Sequence, residues 1–161
     1  MTEESGRPTK SVPKAARTDN GGSVSLVKVL VVDDFEKFRR FVCSTLSKNP
    51  EWQVVGEACD GLEAVQKAEE LQPDLIVLDI GMPNLNGIEA VRRIRKVSPK
   101  SKILFASQES SADIVQQAFN LGALGYVIKA HAASDLLAAV ETVLRGEQFV
   151  SNAVLNGNGQ R

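Results

Sequence analysis

Five short runs rich in Val, Ile and Leu recur along this chain, and a stripe of apolar residues at helical spacing follows each one. That alternation constrains the fold more than any other feature. Runs this short, apolar and β-branched read as strands buried on both faces of a parallel sheet. The pattern predicts strands at 27–32, 52–58, 74–79, 102–106 and 125–128. Five strand–helix units of this kind close into a single doubly wound α/β domain, with helices on both faces of a five-stranded parallel sheet.

The helical segments carry their own boundaries. Phe35, Phe38, Phe41, Val42 and Leu46 repeat at helical spacing, and Asn49-Pro50 stops that helix. Asp60 is placed to cap the second helix, with Glu63 completing a capping box. Its buried stripe is Ala64, Val65, Ala68 and Leu71, and Pro73 breaks it. Asn86 caps the third helix, with Ile88, Val91, Ile94 and Val97 inward. The fourth runs over about 110–121 and stops at Gly122. The fifth runs over 134–145, with Ser134 as cap and Gly146 as stop. Outside this core, residues 1–25 are rich in Ser, Thr, Pro, Gly and Lys and read as disordered. Residues 147–161 read as a linker-like or frayed end. The domain itself is placed at 26–146.

Composition narrows the function classes. At 161 residues, 43% of them apolar, the chain has material for one globular core. A net charge of −1 and a pI near 5.9 argue against direct binding of nucleic acid. The cluster Arg92-Arg93-Ile-Arg95-Lys96 has no interleaved aromatic residues and reads as a solvated helix face. No run reaches transmembrane length and the N-terminus lacks a secretory pattern, so a cytoplasmic location is expected. Cys43 and Cys59 form no Cys-x-x-Cys pair and read as reduced thiols. His131 reads as a solvated loop residue.

Polar residues stand where four of the strands end: Asp33-Asp34, Asp79, Ser107 and Lys129. In sheets of this class, ligands bind beyond the carboxyl ends of the strands. Three carboxylates, a hydroxyl and an ammonium are thus expected on one edge. Clustered ionised acids repel one another and favour a cation between them. Hard oxygen ligands suit Mg²⁺. A metal, a hydroxyl and a lysine around a carboxylate make a phosphoryl-transfer site. Each residue also has a plainer reading. Asp33-Asp34 can cap a helix, Asp79 can sit in a turn, Lys129 can be a surface lysine and Tyr126 an ordinary strand aromatic.

The acid pair, the segment from Leu78 through Asp79, Gly81, Met82 and Pro83 to Gly87, Ser107, and Gly125-Tyr126-Val-Ile-Lys129 resemble the response-regulator receiver domains of two-component signalling. The resemblance covers about 26–146 in order and spacing and looks most like the LuxR-type branch, without its helix-turn-helix output domain. It implies a flavodoxin-like fold of strand order 2-1-3-4-5. It implies Asp79 as phosphoacceptor, and Asp34, Asp79 and the backbone carbonyl of Gly81 as Mg²⁺ ligands, with Asp33 acting through water. Ser107 and Lys129 would contact the phosphoryl oxygens, and Tyr126 would be the aromatic switch partner of Ser107. A sensor histidine kinase or phosphotransfer protein would be the donor. A second copy of the chain, a downstream protein or a missing DNA-binding domain would receive the signal.

Two positions depart from the family pattern. Ala130 stands where a cis proline commonly follows the lysine, and a cis bond without proline costs roughly 3–4 kcal/mol. Gln108 stands where the residue after the hydroxyl is usually very small, whereas Gly81 leaves room for attacking water. Three other readings stay open: a receiver-like interaction module that is not phosphorylated, a receiver fragment of a DNA-binding transcriptional regulator, and a flavin-binding protein of the same fold class. The last would need a phosphate-cradling loop after the first strand, where this chain has two acids.

Overall fold

All strands of the central sheet run parallel. The computed structural model describes residues 18–19, 23–152 and 154. The strands are β1 (Val27–Val32), β2 (Trp52–Ala58), β3 (Leu75–Leu78), β4 (Lys102–Ser107), β5 (Gly125–Ile128) and β6 (Phe149–Val150). Their spatial order is β2-β1-β3-β4-β5-β6. The expected 2-1-3-4-5 order therefore holds, but the sheet has six strands, not five. Phe149 and Val150, expected within a fraying end, pair with Gly125 and Tyr126. Two residues give no periodic signal, and the open edge of β5 supplies the partner.

The helices are α1 (Glu36–Leu46), α2 (Gly61–Leu71), α3 (Gly87–Val97), α4 (Ala112–Asn120) and α5 (Ala132–Leu144). Side chains alternate across each strand, so the sheet divides the core in two. Leu30, Val32, Ile76, Leu78, Ile103, Phe105 and Tyr126 face the side covered by α2, α3 and α4. Val29, Val31, Leu75, Val77, Leu104 and Val127 face α1 and α5.

Two of the expected caps hold, and a third forms at Ser111, which the sequence did not single out. Asp60 accepts from the Glu63 N–H, and Asn86 accepts from that of Glu89. Glu63 returns a bond to the N–H of Cys59, one residue before the cap. Ser111 caps α4 through the Ile114 N–H. Gly122 and Gly146 adopt φ of +96° and +84°, the left-handed geometry that ends a helix.

Two caps differ. The fifth helix begins at Ala132, two residues before Ser134, because Lys129–His131 form a 3₁₀ turn that leads into it. The Ser134 hydroxyl donates back to the His131 carbonyl instead of capping an N–H. At α1 the capping position is Phe35, which makes no side-chain cap bond. Of residues 1–25, most lie outside the described residues; Thr18–Asp19 pairs antiparallel with Ser23–Val24, where no strand was expected. Among the described residues, no helix is long and apolar enough to cross a membrane.

Candidate functional site

The carboxyl ends of β1, β3, β4 and β5 open on a cavity of about 630 Å³. Asp34, Asp79, Gly81, Ser107, Gln108 and Lys129 line it. One carboxylate oxygen from each of Asp33, Asp34 and Asp79 lies within 4.8 Å of the others. Asp33 and Asp79 are buried, whereas Asp34 is exposed.

Lys129 reaches into the acids from the end of β5. Its Nζ lies 2.8 Å from Asp33 Oδ2 and 3.3 Å from Asp79 Oδ2. The same ammonium sits 4.7 Å from the centroid of the Phe38 ring, a cation–π contact. Phe38 was expected only as a core residue of the first helix. Its sequence signal is its position one turn into the helix that follows the acid pair. The Lys129–Ala130 bond is trans, because there is no cis peptide among the described residues.

Asp79 is held from its own chain. Its N–H donates to the Val32 carbonyl, and its Oδ1 accepts the Ile80 N–H at 2.8 Å. The loop then doubles back: the Gly87 N–H donates to the Ile80 carbonyl at 2.7 Å. A Cβ on Gly87 would overlap the Asp79 carbonyl, so this close approach requires glycine. Asn84, at φ +67°, ties the loop to the α2 cap through a bond to Asp60. Burial lifts the Asp79 carboxyl above its ordinary range; Lys129 opposes this and Asp33 reinforces it. Gly81 is open: nothing lies within 4 Å of where its Cβ would be.

On the other side of the cavity, Ser107 Oγ accepts the Glu109 N–H at 3.2 Å. Tyr126 is fully buried, and its hydroxyl donates to the Glu109 carbonyl at 2.8 Å. Its ring packs on Phe105 with centroids 6.2 Å apart. Burial pushes the Tyr126 hydroxyl up to about 12. Behind this strand, Ser151 is fully buried. Its hydroxyl accepts the Ile128 N–H and donates to Asp135 Oδ2 at 2.8 Å.

The structure thus brings Asp33, Asp34, Asp79 and Lys129 into one cluster, with Gly81 and Ser107 on the wall. Tyr126 lies beneath the Ser107 loop, linked to it through Glu109. Other polar groups stay apart. Cys43 is half-buried, with its thiol raised to about 11 by burial, and Cys59 is exposed beside Glu63. A second cleft, at the opposite end of the sheet, mixes Glu51, Asp74 and Glu141 with Lys102 and Arg145. No single charge converges there.

Fold and site together define a flavodoxin-like domain with an acidic, lysine-bridged cavity at the carboxyl edge of its sheet. The response regulator receiver domain model matches residues 29–141, and the chain belongs to that family, the receivers of two-component systems. The response regulator protein VraR of Staphylococcus aureus is 39% identical over 129 residues, 80% of this chain. The chain spans about 62% of that relative's length. A LuxR-family response regulator from Aurantimonas sp. SI85-9A1 superposes with a TM-score of 0.77 at 32% identity, over 82% of this chain and 94% of that one. The receiver domain of the putative response regulator NarL from Mycobacterium tuberculosis gives 0.72 at 32% identity, over 76% and 99%.

Proposed function

We propose that Asp79 accepts a phosphoryl group from a phosphohistidine on a sensor kinase or phosphotransfer protein. The observation that carries this reading is the buried Asp79 carboxylate, bridged by Lys129 to Asp33 at the mouth of an open cavity. One Asp79 oxygen attacks phosphorus in line. The P–N bond breaks, its electron pair stays on the imidazole nitrogen, and an acyl phosphate forms. A carboxylate is a weak nucleophile, so placement and charge neutralisation carry the catalysis.

The donor set fits a divalent cation. Three carboxylates face one ammonium, and Asp79 is raised by burial and by its acidic neighbour, so the cluster is short of positive charge. Asp34, Asp79 and the Gly81 carbonyl would hold Mg²⁺, with Asp33 acting through water. When bound, the ion supplies the charge that offsets the incoming phosphate. Lys129 contacts a phosphoryl oxygen, and the Ser107 hydroxyl donates to another. Ser107 then gives up the Glu109 N–H, the loop draws inward, and Tyr126 exchanges its Glu109 partner for the space behind it. A local charge event thereby biases a two-state element.

The altered surface, around α4, β5 and α5, would meet a second copy of the chain, a downstream protein or a DNA-binding domain. The domain works as a cytoplasmic signalling switch whose only chemistry is its own phosphorylation and dephosphorylation. Incubation with a small acyl phosphate and Mg²⁺ tests the reading. Hydroxylamine-labile phosphate should appear with Mg²⁺ and be absent with EDTA. Its absence under both conditions would favour the interaction-module reading.

A further inference from the structure

Asp34 is the one member of the acid cluster that is exposed, and none of the hydrogen bonds among the described residues falls on its carboxylate. The main chain that carries it therefore sets where its Cβ lies, and so what its carboxylate can reach. That main chain is pinned at three points. The Asp33 N–H donates to the Ala58 carbonyl at 3.0 Å. The Phe35 N–H donates to Asp33 Oδ1 at 2.9 Å. The Asp33 carbonyl accepts from Arg39 Nη1 at 2.7 Å.

The third contact lies on the peptide joining Asp33 to Asp34. Holding that oxygen fixes the peptide plane, which sets ψ of Asp33 and φ of Asp34 together. The guanidinium is itself fixed, because Arg39 Nε donates to Glu57 Oε1 at 2.8 Å from the end of β2. Its side chain is only 18% exposed. Arg39 lies six residues after Asp33, in the second turn of a helix whose first turn has no side-chain cap. The planar fork of arginine can serve both acceptors at once, which an ammonium cannot do with the same geometry.

We propose that Arg39 is a positioning residue: by clamping the Asp33–Asp34 peptide between α1 and β2, it aims the Asp34 carboxylate at the divalent cation. The proposal rests on the Mg²⁺ reading above. Arg39 touches neither metal nor phosphate; it acts through the backbone oxygen. Loss of a partner that orients a metal ligand commonly weakens metal affinity by about 10–100-fold.

The test is calorimetric titration of Mg²⁺ alone into the full chain, for wild type, Arg39→Met, Arg39→Lys, Glu57→Gln and Arg40→Met. Arg40 is an exposed neighbour paired with Glu36 and serves as control. Thermal melts in EDTA establish that each variant is folded. Arg39→Met should weaken Mg²⁺ binding roughly tenfold. Arg39→Lys should recover part of that loss, Glu57→Gln should fall between it and wild type, and Arg40→Met should bind as wild type. In acyl-phosphate assays, the half-saturating Mg²⁺ concentration should rise in Arg39→Met while the rate at saturation stays within about twofold. A folded Arg39→Met with wild-type Mg²⁺ affinity would overturn the proposal and leave the function intact. Wild-type protein that binds no Mg²⁺ would instead sink the function itself, and this inference with it.

Discussion

The two sides of the cavity are built differently. On the acid side, Asp33 is tied by its N–H, its carbonyl and its carboxylate, and two of those ties carry the charge of Lys129 or Arg39. On the hydroxyl side, Ser107 holds one N–H at 3.2 Å, and Tyr126 holds one carbonyl of the same residue, Glu109. These bonds are neutral, and residues 108–111 beside them are exposed. Charge-assisted bonds are roughly twice as strong as neutral ones. The comparison teaches a division of labour. On the function proposed above, the side that would perform the chemistry is held by charge-assisted bonds, and the side that would report it is held by neutral ones.

The largest effect should come from breaking the acid side. Lys129→Met leaves Asp33 and Asp79 buried without their cation, and should cost about 3 kcal/mol at neutral pH. The loss should narrow as pH falls and Asp79 takes up a proton; chemical denaturation at two pH values measures both.

Behind the reporting side, Ser151→Ala removes the acceptor of the buried Ile128 N–H and the donor to Asp135. About 2 kcal/mol should be lost. A loss this large would show that β6 is an integral edge of the sheet; none would return it to the status of a tail.

Smaller still is Tyr126→Phe, which deletes the single bond to the Glu109 carbonyl. About 1 kcal/mol should go, and amide exchange should quicken in 108–112 but not around Asp33. Equal quickening on both sides would erase the contrast between them.

The smallest effect has the opposite sign. Burial raises the folded Asp79 carboxyl above its ordinary value of 3.8, so the proton-linked stability is present below that value and lost as pH rises through the folded one. Ionised Asp79 is therefore a cost at neutral pH. In EDTA, Asp79→Asn should melt slightly higher than wild type at pH 7, with the gap closing on acidification.

On both sides of the cavity, what the sequence made legible was local chemistry. Strand 27–32 was read to the residue because an apolar run ends abruptly in two acids. Asp60 and Asn86 were legible as caps because capping is local chemistry. What escaped depends on partners distant in the chain. Phe149–Val150 becomes a strand only because β5 offers it an edge. Ser134 looks like a cap, yet a 3₁₀ turn after Lys129 starts α5 before it. Phe38 has the spacing of a core residue and also lies beneath Lys129, 91 positions later in the chain (129 less 38). Tyr126 was legible as a strand aromatic, but its bond to the Glu109 carbonyl requires the β4–α4 loop to fold over it.

The most direct measurement is on Asp79 itself. Wild type and Asp79→Asn are incubated with Mg²⁺ and a small acyl phosphate, their intact masses are compared, and the wild-type adduct is reduced with borohydride before peptide mapping. One phosphoryl adduct on wild type, none on Asp79→Asn, and homoserine at position 79 are expected. An adduct that persists in Asp79→Asn, or a reduced site elsewhere, would contradict the assignment of the phosphoacceptor.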